Sequence, residues 1–530
     1  MIRVHDLTLP FDHRPQALDR AIVKRLHLGK ADIIKYQIIR HSIDARRRSR
    51  IVFVYSVDVE VVDELKMLKA CAKDAKIGPA PSTTYIMPES APQGRIAPVV
   101  VGSGPCGLFC ALILAELGYK PVLIERGKEV KARIHDVHRL WQEGELDPIS
   151  NVQFGEGGAG TFSDGKLVTQ IKDKLNRSRK VLNELVKAGA PEDILVQAKP
   201  HIGTDHLVNV VKRLRNKIIE LGGEVRFETQ LTDLVIKDNR VAGIIVNHDD
   251  QIDTSSVVLA LGHSARDTFA MLHDKGVPMI AKPFSMGVRI EHPQALINQA
   301  QYGQHATHPS LGAADYKLVH HSSLGRSAYS FCMCPGGQVI GAASEAGRLV
   351  TNGMSHHARN LPNANSALVV SVTPEDFQTD DPMAGVAFQR LWEEKAFAVG
   401  GGQYHAPVQC VGDFLASKPT RFIRSVEPSY QPGVKCCDLR ACLPEFVADT
   451  LREAIPALDR KLQGFAHPEA VMTGLESRSS SPLRILRDEA FQSPAFQGLF
   501  PAGEGAGYAG GIMSAAIDGI KVAEAIIGLF

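Results

Sequence analysis

Three stretches of this 530-residue chain hold residue types whose spacing could do chemistry. The first is Gly102-x-Gly104-x-x-Gly107, with Glu125 eighteen positions after the last glycine. Gly102 permits a tight turn, Gly104 lets backbone approach a pyrophosphate, and Gly107 lets a following helix lie close to the preceding strand. The pyrophosphate would sit on the helix N-terminus, where free N–H groups and the helix dipole favour an anion. Pro105 suits the first helical turn because its missing N–H would be unpaired there, and Glu125 is placed to accept from a ribose hydroxyl. The competing reading, a chance glycine turn, has to explain the strand before it, the helix after it and the acid at the right remove.

The second stretch is Phe154 to Lys166, dense in glycine without being low in complexity. Bare backbone there suits direct contact with a ligand, since no side chain intervenes; a flexible loop is the alternative. Within it, Asp164 and Lys166 could tune a redox ring or bind a substrate anion, although Ser163-Asp164-Gly165 is also an ordinary turn. The third is Cys332 and Cys334. If that run is a strand, residues two apart share a face, so both thiols would point into one cavity, and a disulfide between them would be strained and easily reduced. Two small buried apolar side chains beside a Pro-Gly-Gly turn are the plainer alternative. Arg478 with Ser479, Ser480 and Ser481 offers donors for an anionic group, or else forms a polar loop. Cys436, Cys437 and Cys442 read as structural, and the scattered histidines lack carboxylate partners, so no metal site is expected.

These groups need elements to position them. Val99 to Val101, a helix-length apolar stretch ending at Gly118 and a second apolar run ending in Glu125 predict strand, glycine turn, helix and strand. Gly498 to Phe530 repeats that grammar, with Gly503-Glu504-Gly505 before a helix from about Ile512. Between them lie a polar helix near Lys128 to Trp141, a helix from Thr204 to Leu221, and strands near Glu224 to Glu228, Leu231 to Lys237, Arg240 to Asn247 and Ser256 to Leu261. The two glycine turns belong to one nucleotide-binding layer, with the intervening segments inserted into it. Residues 1 to 77 read as a small α+β unit of three strands and two helices, the second from Asp63 to about Ala75. Prolines between Gly78 and Pro98 predict a semi-rigid linker. The expected domains are thus 1–77, the linker 78–98, a nucleotide-binding domain of 99–268 with 493–530, and a substrate or cap domain of 269–492, with 166–200 as a further contributor and a helix near Glu445 to Leu462.

Bulk composition limits the rest. Hydrophobic residues make up 44%, enough for a sizeable core, and no apolar run reaches the roughly 18 residues of a membrane span. The charged, proline-containing N-terminus lacks the apolar core of a signal peptide, so a cytoplasmic location is the expectation. Nine cysteines, an odd count, then point to reduced thiols. The net charge of +2 says little about partners, but residues 1 to 50 carry twelve Lys and Arg against five Asp, including Arg46, Arg47, Arg48 and Arg50. That patch is a solvated turn or, less simply, a docking site for an acidic partner or nucleic acid.

Taken together, the motifs resemble the FAD-dependent oxidoreductases of the two-dinucleotide-binding-domain type. They are more closely similar to the bacterial FAD-dependent dehydrogenases, also called NAD(FAD)-utilising dehydrogenases, that carry an extra N-terminal α/β domain. Nearly the whole chain takes part. GxGxxG is generic; the specific matches are TFSDGKLVT at Thr161 to Thr169, FCMCPGG at Phe331 to Gly337 and ESRSSSPLRI at Glu476 to Ile485. The resemblance implies an α/β fold: a Rossmann-like FAD-binding domain, an inserted β-rich substrate or cap domain, and a small N-terminal α+β domain. Carried over by position, it implies Gly102, Ser103, Gly104, Pro105 and Gly107 against the pyrophosphate. Glu125 falls at the adenosine ribose, with Arg126 and Arg133 as weaker candidates for that half. Leu231 falls beside adenine, and Gly157, Gly158, Thr161 and Gly262 beside the flavin. Gly503 and Glu504 fall near the ribityl chain, and Gly511, Ile512 and Met513, at a helix start, near the flavin pyrimidine. Glu504 stands where many relatives have Asp, a mild departure.

The implied function is hydride transfer between an unknown organic substrate and the flavin, with NAD(P)H, a quinone or oxygen in the other half-reaction. No second complete GxGxxG with its own acid is present, so a dedicated NAD(P)H domain is not expected. The alternatives are an RNA-associated flavoprotein docked through the basic N-terminal unit and a flavin-binding protein that acts mainly through protein contacts. Cys332, Cys334, Asp164 and Lys166 are the catalytic candidates; substrate and oligomeric state stay open.

Overall fold

The computed structural model describes residues 1–28, 32–89, 96–377 and 379–528. Its centre is a five-stranded parallel sheet ordered Leu499–Pro501, Val257–Leu259, Val99–Val101, Val122–Ile124 and Glu224–Arg226. Three of its strands, Val99–Val101, Val122–Ile124 and Val257–Leu259, are short runs of Val, Leu and Ile buried on both faces, the pattern of a parallel sheet covered on both sides. The first and last glycine turns therefore share one layer, and the chain is mixed α/β with a Rossmann-type sheet.

The Pro105–Glu116 helix is apolar all round, and Cys106 through Ala115 are all buried, which makes it a central core helix rather than an amphipathic one. Its closeness to the sheet depends on Gly107: a Cβ there would lie 1.8 Å from the Gly102 carbonyl oxygen. The Ile512–Gly528 helix crosses it just as tightly, since a Cβ on Gly519 would lie 2.1 Å from the Cys106 oxygen. No helix among the described residues is long and apolar enough to cross a membrane.

Two further sheets build outward from this layer. The larger has seven strands, ordered Val319–His321, Ser327–Cys334, Asn363–Val372, Phe284–Pro293, Val471–Glu476, Ala406–Cys410 and Val434–Cys436, antiparallel except for the last pair. The Glu445–Asp459 helix covers it through an apolar stripe that includes Val447, Leu451, Ile455 and Leu458. At the N-terminus, Ile33–Asp44, Val52–Val61, Ile2–Pro10 and Ile77–Pro79 form a four-stranded sheet. Phe53, Tyr55, Val57 and Val59 are buried there, and they join Met286, Val288 and Leu368 of the larger sheet in one continuous core.

Several elements depart from expectation. The helix expected from Asp63 to Ala75 ends at Ala70. A strand at Asp250–Asp253 and a long helix at Ala384–Gly400 carried no clear sequence signal. The expected linker is a strap: Ile77–Pro79 is a sheet strand, and Tyr85 donates to Glu524 at 2.8 Å and packs on the nucleotide-layer core. Its portion at 90–95 lies outside the described residues.

Candidate functional site

A cavity of about 370 Å³ opens at the carboxyl ends of the parallel strands, the place where ligands bind in open α/β sheets. Each of four strands contributes the residues just past its end: Gly102 and Gly104, Glu125 and Arg126, Leu261 to Ser264, and Glu504. Two helix N-termini face it, at Pro105 and at Gly511-Ile512. Gly104 makes no side-chain cap, so the first N–H groups of that helix stay available to an anion. Part of the wall is bare backbone. A Cβ on Gly262, Gly510 or Gly511 would meet nothing within 4 Å and would occupy the cavity itself.

The glycine-dense stretch is ordered, not a loose loop. Gly157 N–H donates to the Ser103 carbonyl at 3.0 Å, and Gly158 lies against Gly104. Gly158 to Gly160 and Ser163 to Lys166 line the cavity, while Gly157 and Thr161 sit behind that surface. Arg133 is wholly buried and does not line the cavity; its guanidinium donates to the carbonyls of Asn151, Val152, Gly155 and Glu156. It is corrected from a cofactor candidate to the post that holds the loop. Gly107, Ser103, Gly503 and Met513 likewise lie outside the lining.

At the end formed by Glu125, Arg126, Thr229 and Leu231 the wall is part polar. One Glu125 oxygen accepts from Ser103 N–H and Oγ, at 2.9 and 2.8 Å; the other accepts from the Gly127 and Gly155 N–H groups. Four protein donors thus hold this carboxylate, and a ribose contact would have to share it. Arg126 pairs with Asp267 and lies 4.4 Å over the Phe154 ring.

The other end holds the titratable groups. Asp164 is fully buried and accepts from Arg359 at 2.9 and 2.5 Å. Burial would push its carboxyl up, but Lys166 and Arg359 together hold it below the ordinary range. Asp164 is therefore engaged in ion pairs with Arg359 and with Lys166, whose Nζ lies 3.3 Å away, buried and with no hydrogen-bond partner. Cys332 faces the cavity, and Cys334 is buried behind it, its thiol donating to the Cys332 carbonyl at 3.3 Å. Sequence reasoning placed both thiols on one face of a regular strand. Instead the ladder slips between Phe331 and Cys334, and Cys332 has a φ of +41°.

Glu476 and Arg289 complete this end; the sequence marked Glu476 only as the start of ESRSSSPLRI, with no site role, and did not mark Arg289. The Arg289 guanidinium donates twice to the Cys332 carbonyl at 3.1 Å and approaches Glu476 at 3.5 Å, too long for a hydrogen bond. Glu476 Oε2 is buried without a hydrogen-bond partner. Burial outweighs the Arg289 charge and pushes the Glu476 carboxyl up to about 7. Glu504 behaves alike: burial pushes it up to about 7 against the Gly511 N–H and Lys282. Two carboxyls near neutral pH on one cavity can hold or release a proton there. Their pKa values carry a stability signature. The folded Glu476 carboxyl keeps its proton to about 7 against an ordinary 4.5, so its contribution is full below 4.5 and lost as pH rises through 7. Glu476→Gln is expected to remove a loss of about 1.4 kcal/mol per pH unit across that interval. Urea unfolding at a series of pH values checks this; an unchanged pH slope would contradict it.

Arg478 departs from expectation as well. Its guanidinium is committed to Glu393 at 3.1 and 3.0 Å and to Ser264 and Ser344. It shares Glu393 with Arg266, so it is a buried brace rather than a free anion donor. Beside it, burial and the two arginines push the His263 imidazole down to about 3, leaving a neutral ring on the cavity wall. Arg46 pairs with Asp44 on the N-terminal turn and does not reach this cavity.

Three observations bear on whether these residues fit a flavin dinucleotide: the glycine cradle that a Cβ would fill, the uncapped helix N-terminus, and Lys166 Nζ and Glu476 Oε2, buried without hydrogen-bond partners at the far end. They fit. Residues 283–479 match the family model described as FAD-dependent protein, C-terminal domain-like, and residues 1–60 match a domain of unknown function. A Clostridium beijerinckii chain described as an uncharacterized protein is 50% identical over 531 residues, covering 100% of this chain and 99% of its own. A thiamine thiazole synthase of Methanococcus vannielii is 24% identical over 178 residues, 32% of this chain and 56% of its own. Among solved structures, L-proline dehydrogenase from P. horikoshii aligns over 82% of this chain and 93% of its own, with 14% identity and a TM-score of 0.35.

Proposed function

This chain belongs to one family with the Clostridium beijerinckii protein and matches, over residues 283–479, the model described as FAD-dependent protein, C-terminal domain-like, and from that premise we propose that it is an FAD-dependent oxidoreductase of the NAD(FAD)-utilising dehydrogenase type. When bound, the flavin accepts or donates a hydride at its ring, and an organic substrate is the other party. The observation that carries this reading is the single cavity that joins a glycine-walled helix N-terminus to Lys166, Cys332 and Glu476.

Within that reading the chain binds and orients. The N–H groups of Gly104 and Cys106 face the pyrophosphate, and Leu231 borders the adenine. The start of the Ile512–Gly528 helix directs its positive end at the ring's pyrimidine edge. Lys166, with a buried ammonium lacking hydrogen-bond partners, binds an anionic group of the substrate or the ring's carbonyl edge. Glu476, near neutrality, holds the proton that accompanies hydride transfer.

NAD(P)H is the proposed second partner. Anaerobic titration with NADPH and then NADH, following the flavin absorbance band, tests it. Bleaching by one stoichiometric equivalent is the expected result. A yellow protein that stays yellow would remove the nicotinamide and leave the organic substrate as the electron donor.

A further inference from the structure

Resting on the FAD reading above, we infer that Cys332 and Cys334 are a thiol/disulfide couple that exchanges an electron pair with the bound flavin. Three observations carry it. The first is the backbone. In a regular strand two residues rise about 6.6–6.8 Å, at the upper end of the Cα separations a disulfide bridges. Here the ladder pairs Phe331 with Ala367 and Cys334 with Asn365, leaving Cys332 and Met333 in a bulge. The left-handed φ of +41° at Cys332 takes the backbone out of the extended path of a regular strand.

The second is the division of exposure. Cys332 lines the cavity that also holds Gly104, Gly160 and Gly511, whereas Cys334 is wholly buried. Only Cys332 meets a ligand in that cavity, and only Cys332 gives Cys334 a partner. The third is charge. Lys166 Nζ is buried without a hydrogen-bond partner, and the buried Arg289 guanidinium clamps the Cys332 carbonyl. The neighbouring Cys334 thiol draws the Cys332 thiol down, aided by Lys166 and Arg289 and opposed by burial. The Cys332 thiol and burial push Cys334 up, so the proton stays on Cys334. By contrast, burial raises the Cys110 and Cys442 thiols, which have no such cations beside them.

The step balances without another reactant. Oxidation forms one S–S bond and releases two electrons and two protons from the pair; the oxidised flavin takes up the electrons and protons. In reverse, reduced flavin cleaves the S–S bond and restores both thiols.

The test uses the FAD-loaded chain, oxidised anaerobically with diamide, desalted and titrated with dithionite while flavin absorbance and alkylatable thiols are followed. Wild type is expected to consume two electron pairs per flavin and to regain two thiols of its nine cysteines. Cys332→Ser and Cys334→Ser, still yellow, are expected to consume one pair and regain none at this pair. Mass analysis of the peptide holding both cysteines supplies a readout independent of turnover: two mass units lighter after diamide. A yellow wild-type chain that consumes one pair, with that peptide unchanged in mass, overturns this inference alone; a chain that holds no flavin overturns both readings.

Discussion

Replacing Glu393 with alanine is expected to lower the stability of the chain by about 3–5 kcal/mol, because removing one partner of a buried ion pair leaves the others uncompensated. Glu393 has no exposed surface. It accepts from both terminal nitrogens of Arg266 at 2.8 Å, from Arg478 at 3.1 and 3.0 Å and from Ser477 at 2.6 Å. Burial alone would push its carboxyl up, but the two arginines outweigh burial and hold it well below the carboxylate range. The sign follows: this stability is present at neutral pH and is lost only in strong acid. Glu393→Gln keeps the shape and loses the charge, so it is expected to fall between wild type and alanine. The loss also reaches the cavity, since Arg478 lines it and is braced by Glu393. Urea unfolding at pH 7 measures the effect; an alanine variant within about 0.5 kcal/mol of wild type, the range of ordinary surface changes, would contradict it.

The second large effect is on binding rather than folding. Gly104→Val is expected to leave the chain folded and to weaken FAD at least about 100-fold, roughly 2.7 kcal/mol. Gly104 has extended backbone, φ −70° and ψ −179°, which any residue adopts and which suits a residue before proline. A Cβ there touches only Gly158 Cα, at 3.9 Å, so the added methyl groups fill the space where a pyrophosphate would approach. Gly107→Ala is the contrast, because its Cβ would strike the Gly102 carbonyl at 1.8 Å and separate helix from sheet. Circular dichroism with FAD titration distinguishes the two. Unchanged FAD affinity in a folded Gly104→Val chain would place the ligand elsewhere.

Much of the nucleotide layer was legible because its signals are local. Three apolar residues, a glycine turn and an apolar helix mark Val99 to Glu116 without reference to the rest of the chain, and the same grammar marks Leu499 to Gly528. The reactive end was less legible. Lys166 comes from the glycine-dense loop, whereas Cys332, Arg289 and Glu476 come from three strands of the seven-stranded sheet, and that long-range pairing leaves no trace in spacing. The bulge at Cys332 is equally invisible, since it depends on how the neighbouring strand is registered. Arg133 and Arg478 illustrate the opposite error: an arginine near a binding motif reads as a ligand donor until its acceptors are seen to be buried carbonyls and Glu393. Arg133 acts on the cavity by holding the loop that lines it, and Arg478 lines the cavity with its guanidinium already committed.

The most direct test of the account is the flavin content of the purified chain after incubation with FAD and removal of unbound cofactor. Absorbance and chromatography of the released chromophore are expected to give close to one FAD per chain, with the flavin band in the visible. A folded chain that retains no flavin would contradict the central claim, and the cavity at the strand ends would then need another ligand.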